Sequence, residues 1–178
     1  ARVGSLLALA VAVLLIALEG VTVDAAQPAA APAAVVGAHQ FVGTIDGGPE
    51  SARIGIAIDD KNFLVYLCSQ DKEFNADHAA WFKGTRTGDT ITATNGTRTV
   101  TATVSGDKWT GEVASGGKKL AFTAKNCDGH VVAGLYRAED TDDGQTCVFG
   151  WVIDEDGNGA GGAERRAANG MGALANKG

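Results

Sequence analysis

Apolar positions follow two different patterns along this chain. Val3 to Leu18 reads VGSLLALAVAVLLIAL, with no charge and no polar period. From His39 onward the period becomes two. Ile54, Ile56 and Ile58 alternate with Gly55 and Ala57, which predicts a strand with one buried face. Phe63 to Leu67 is a continuous apolar run, short enough for a central strand, with a hairpin loop at Asp59 to Asn62 before it. Thr90 to Thr94 and Thr99 to Val104 are rich in Thr, Ile and Val and meet across Asn95-Gly96, a pair that tolerates positive φ and marks a tight hairpin. Ser105 to Asp107 turns the chain into Trp109 to Val113, and Ser115 to Gly117 turns it into Leu120 to Ala124. Val131 to Ala138 and Thr146 to Ile153 form a last pair around Asp140 to Gly144. Only Lys72 to Phe82 fits a short helix. Consecutive hairpins at this spacing predict an all-β antiparallel meander, a small barrel or sandwich. Its expected core is Phe41, Ile54, Ile56, Ile58, Val65, Leu67, Trp81, Ile91, Val100, Val104, Trp109, Val113, Phe122, Leu135, Phe149 and Trp151.

The apolar run before this domain has two readings. One is a cleaved signal peptide, with permissive residues for cutting after Ala25. The other is one retained transmembrane helix over residues 1–23, whose apolar part, extended through Val23, spans roughly 30 Å, about one hydrocarbon core. The chain opens on Ala, so an upstream leader is also expected. Arg2 precedes the run and Glu19 and Asp24 follow it, so both readings export the remainder, and the retained span puts the domain on the extracytoplasmic (periplasmic) side of the cell membrane. Residues 24–37 are rich in Ala and Pro, a semi-rigid linker. The β domain is expected over residues 38–156, and residues 157–178 read as a Gly/Ala-rich tail unable to build a core alone. Within the span, Gly4, Ala8 and Ala12 recur at i, i+4, i+8 and form a small-residue stripe along which another helix could pack closely.

Composition changes this picture little. The chain has 178 residues and a formal charge of −6, without the clustered Lys and Arg that phosphate binding requires, so nucleic acid is excluded as a partner. Gly supplies 25 residues, about double the usual share, and the hairpin turns use them. Catalytic chemistry finds no foothold. His39, His78 and His130 each stand alone, no G-x-S-x-G occurs, and the acidic loops lack the aromatic cleft of a glycosidase. Neither an enzyme nor a cofactor is expected. Asp154, Asp156 and Asn158 match the first half of a calcium loop, but Arg165 stands where the bidentate Glu belongs, so a polar turn competes with a metal site.

Four segments carry a resemblance. They are Ala80-Trp81-Phe82-Lys83-Gly84, Gly106-Asp107-Lys108-Trp109-Thr110-Gly111, Ala133-Gly134-Leu135-Tyr136-Arg137-Ala138-Glu139 and Gly150-Trp151-Val152. In this order they resemble a small exported β domain of actinobacterial envelope proteins, over roughly Gln40 to Gly157. The resemblance implies one closed antiparallel unit and transfers no catalytic residue. With the span and linker, the architecture is also similar to accessory subunits of mycobacterial membrane assemblies, either the Mce-type lipid transporter or the respiratory supercomplex. It thus implies a non-catalytic subunit whose partners are an integral membrane complex, met through helix and domain, and membrane lipid. The alternative is a small-ligand or lipid-binding barrel. The resembling domains tolerate a Cys at the position of Cys68, whereas Cys127 and Cys147 are additions, which favours a disulfide between those two. Such a bridge closes a loop of about 20 residues, worth about 3 kcal/mol.

Overall fold

The computed structural model describes residues 33–34, 38–142, 145–166 and 172–175. The expected span, with Gly4, Ala8 and Ala12, lies outside the described residues, as does most of the linker. Among the described residues no helix is long and apolar enough to cross a membrane.

In chain order the elements are β1 (Ala33–Ala34), β2 (His39–Ile45), β3 (Arg53–Ile58), β4 (Asn62–Cys68), α1 (Lys72–His78), β5 (Ala80–Thr85), β6 (Thr90–Asn95), β7 (Arg98–Ser105), β8 (Lys108–Ser115), β9 (Lys118–Asn126), β10 (Gly134–Asp142), β11 (Gln145–Ile153), β12 (Gly159–Arg166) and β13 (Gly172–Ala175). Strands β2 to β9 form an eight-stranded antiparallel sheet in which each strand pairs with the next, except at β5 and β6, and β9 returns to pair with β2. The result is a nearly closed up-and-down barrel. Its seam runs between β5 and β6, where the Asn95 side-chain amide donates to the Trp81 carbonyl at 2.9 Å. The remaining strands form a five-stranded sheet in the order β1-β10-β11-β12-β13.

Strand parity places the side chains. Ile54, Ile56 and Ile58 point into the barrel with Phe41, Val65, Phe82, Ile91, Val100, Trp109, Val113 and Phe122, all buried in one cluster. Helix α1 covers one mouth. Asp71 caps it by accepting from the Phe74 N–H at 2.7 Å, and Phe74 turns toward the barrel core. Its C-terminal carbonyls are held from the barrel rim: Arg98 donates to Ala76 and Asp77, and the Ser115 hydroxyl donates to Asp77 at 2.6 Å. These bonds satisfy carbonyls that a helix end leaves without partners.

A second core lies on the barrel's outside. Val42, Ala57, Tyr66, Cys68 and Trp81 face outward and pack against Leu135, Val148, Val152 and Ala160 of the second sheet. The close approach depends on Gly150. A Cβ there would sit 2.5 Å from Trp81 Cζ2 and 2.6 Å from Tyr66 Cε1, far inside van der Waals contact.

Several elements differ from the sequence reading. The helix expected over Lys72 to Phe82 stops at His78, because Ala80–Thr85 pairs with β4 and buries Ala80 and Phe82 inward and Trp81 outward. The strand expected from Val131 begins at Gly134 instead, leaving Val131 and Val132 in an exposed loop. Gly159–Arg166, read as tail, is a strand paired along its length with β11. Its small residues let it lie flat there, so this segment is ordered by its own chain. Phe149 and Trp151, expected in the core, are not there. They alternate with Val148, Gly150 and Val152, which occupy the inner face, so both point outward and Trp151 is 37% exposed.

Gly150→Ala should lower stability by about 1–3 kcal/mol in urea unfolding, the usual cost of overpacking. Gly159→Ala, whose added Cβ would meet its nearest atoms at an ordinary 3.5 Å, should change it little. Equal midpoints for the two variants would contradict the tight sheet-to-barrel contact.

Candidate functional site: a seam cleft and an aromatic sheet face

A cleft of about 660 Å³ opens over the barrel seam. Lys83 of β5, Thr94 and Asn95 of β6 and Leu64 of β4 form its barrel side, while Arg137 of β10 and Glu164 of β12 overhang it. Its floor is Trp81, stacked on Tyr66 with ring centroids 4.2 Å apart. The Arg137 guanidinium lies 5.6 Å from the Trp81 centroid and pairs with Glu139. A partly desolvated cation–π contact of this kind contributes about 0.5–2 kcal/mol. Burial, with Cys68 and Glu164 nearby, pushes the Tyr66 phenol far above its ordinary value, so it remains neutral. The cleft thus offers cations from two elements, an acid and a hydroxyl. It suits polar or charged groups.

The sequence-derived site residues are dispersed. Asp154, Asp156 and Asn158 lie in the turn between β11 and β12. Asp154 Oδ1 accepts the N–H groups of Asp156 and Asn158 at 3.1 and 2.8 Å. Its Oδ2 accepts from Arg53 at 3.2 Å, with the Arg53 side chain only 11% exposed. Asp154 therefore braces the turn and ties it to the barrel. Among the described residues no group of three His, Cys, Asp or Glu could hold a metal ion.

All three cysteines are free thiols, and the Cys127–Cys147 bridge is not made. Cys127 is buried in the second core and feels Glu155, just past the end of β11 at Ile153, whereas Cys147 sits near the strand's other end opposite Asp140 and Arg165. The run from Cys147 to Ile153 covers roughly 20 Å, and a disulfide requires Cα atoms within about 7 Å. The Cys68 thiol donates to the Ala160 carbonyl, and burial pushes it up to about 12. Burial, Asp128 and Glu155 push Cys127 up to about 11.

The histidines have structural surroundings. His39 Nδ1 meets Asp128 at 2.6 Å and His130 Nε2 meets Glu155 at 3.4 Å, both at the surface. Burial acts to raise the Asp128 carboxyl, but the Gln40 N–H, His39 and Asn126 outweigh it and hold the group below the usual carboxylate range. His78, at the end of α1, is buried against Phe74, and its Nδ1 has no partner. Burial depresses its pKa below 6.5, with Asp77 opposing and Lys118 and Arg98 reinforcing the shift.

The outer face of the five-stranded sheet is the feature that sequence reasoning missed. Tyr136, Phe149 and Trp151 share it, because Tyr136 is directly opposite Trp151. The Phe149 and Trp151 rings are nearly parallel, 8° apart, with centroids at 6.0 Å. Trp151 leans across Gly161, where any Cβ would overlap its Cδ1. The Tyr136 hydroxyl donates to the Val132 carbonyl at 2.7 Å, which draws the exposed Val131–Val132 loop to the same edge. The detectable signal was parity: with Val148 and Val152 inside, Phe149 and Trp151 must face out.

Two measurements check these assignments. A thiol reagent at mildly alkaline pH should modify Cys147 first, with Cys127 and Cys68 reacting only as the protein opens, since the thiolate is the nucleophile; a Cys127–Cys147 linked peptide found under non-reducing digestion of the native protein and lost on reduction would overturn this order. For His78, the unfolded chain takes up a proton near 6.5 and the folded chain only at lower pH. Stability should therefore fall as pH drops below about 6.5, levelling once folded His78 is also protonated. His78→Gln should remove that part of the slope in pH-dependent urea unfolding. Comparison with protein-family models, curated proteins and solved structures returned no match to this chain.

Proposed function

We propose that this chain is a non-catalytic accessory subunit of an envelope membrane complex, serving lipid transport or respiration. In this reading residues 3–23 form a single membrane span and the β domain stands on the extracytoplasmic side. The supporting observation is the filled barrel. Trp109, Phe82, Phe122, Ile54 and Ile56 are fully buried where a ligand-binding barrel keeps a cavity. A barrel packed in this way is a rigid body, and its working surfaces lie outside. The span contributes attachment through the Gly4, Ala8, Ala12 stripe, where small residues let a partner helix approach closely. A second reading, a small-ligand module, draws on the seam cleft, whose Lys83 and Arg137 would favour a polar anionic ligand over a lipid tail.

Mild-detergent solubilisation of native membranes, followed by purification through the C-terminus, separates the two. The subunit reading expects a membrane complex of fixed stoichiometry that Ala8→Leu dissociates without removing the chain from the membrane. Recovery of a lone protein with a bound small molecule, lost on Arg137→Ala, favours the second reading. Wild-type stoichiometry in the Ala8→Leu variant would remove the stripe as the docking element.

A further inference from the structure

We infer that the outer face of the five-stranded sheet, with the Val131–Val132 loop, rests on the surface of the bilayer that holds the chain's own span; this rests on the reading of residues 3–23 as membrane-spanning. Among the described residues the exposed large hydrophobic side chains are Val131, Val132 and Trp151, at 96%, 50% and 37% exposure. The Tyr136 hydroxyl reaches the Val132 carbonyl, and Tyr136 is paired with Trp151, so Tyr136 joins the loop to the aromatic strand. Exposed apolar surface of this kind marks a contact site.

The path of the chain names the occupant. Ala34 pairs with Tyr136, so the segment leading from the proposed span enters the fold beside this patch. Residues 24–32 separate the end of the span from β1, and fully extended they reach roughly 30 Å. The patch is therefore held near the bilayer, at an effective concentration on the order of mM, and a weak contact suffices to settle it there. The chemistry fits an interface: Trp and Tyr place an apolar ring in the headgroup layer while keeping a polar atom wet, and the Val131–Val132 tip can enter more deeply. Asp140 and Glu155 are exposed on the strand and turn beside the patch, against Arg165 and His130, and the chain carries −6 overall. Attachment is thus driven by apolar burial. It does not require anionic lipid, and added salt weakens it little.

The test uses the full chain reconstituted into phosphatidylcholine vesicles with brominated acyl chains. Trp81 and Trp109 are 6% and 1% exposed, so contact quenching reports Trp151. The expected result is quenched emission that is lost in Trp151→Phe and also lost in Val131→Asp/Val132→Asp, a surface change that leaves both cores intact. A chain that floats with the vesicles but shows no quenching overturns this inference while the membrane-span reading stands. A chain that does not float with them overturns both. Protection of Trp151 that scales with the protein-to-lipid ratio would assign the patch to a second copy of the chain and overturn the bilayer contact.

Discussion

The contact of Gly150 with the Tyr66–Trp81 stack is the constraint on which the rest of this architecture depends. Tyr66 and Trp81 face out of the barrel on adjacent strands, and their stacked rings make a flat platform. Only a residue without a side chain can lie against it, and β11 supplies one. Val148 and Val152 on either side of Gly150 then reach the barrel wall and close the second core. Had β11 carried a Cβ at this position, the sheet would stand off, Arg137 would lose its seat over Trp81, and the cleft at the seam would change shape.

This docking also explains why two cores serve so short a chain. The barrel interior is complete by itself, with large side chains from every strand and α1 over one mouth. The second sheet has only one face to bury, and it uses the barrel's outer wall. Among the described residues its other face has no layer above it. A strand buried on one side alternates inside and outside residues whatever their size. The aromatic face and the filled barrel are thus two outcomes of one arrangement.

Polar groups reinforce the same joint. Arg53 reaches out of the barrel to brace Asp154 in the β11–β12 turn, and the Gln40 side chain accepts from the Leu135 N–H at 2.7 Å. Asp128 ties the loop before β10 to β2 through His39 and the Gln40 N–H. Truncating one partner of such a half-buried pair leaves the other desolvated and unpaired, a larger loss than the net contribution of the intact pair. Asp154 shows how a metal-like spacing of carboxylates becomes a turn brace once an arginine from a distant strand arrives.

The sequence by itself determined what local physics controls. Alternation at Ile54, Ile56 and Ile58, the Asn95-Gly96 turn and the hairpin spacing dictate an all-β meander, because side-chain period and turn conformation depend on neighbouring residues alone. It also carried the apolar run of residues 3–18 and its charge asymmetry. Tertiary structure decided the rest. Closure of β9 onto β2 selected the barrel over a sandwich. Pairing with β4 converted the end of the expected helix into β5, since two buried faces outweigh a weak helical preference. Pairing with β11 ordered Gly159–Arg166, whose composition has no core of its own. The separation of Cys127 from Cys147, the seam cleft and the outward turn of Trp151 depend on which strands meet and which face is covered, and those contacts join residues far apart in the chain.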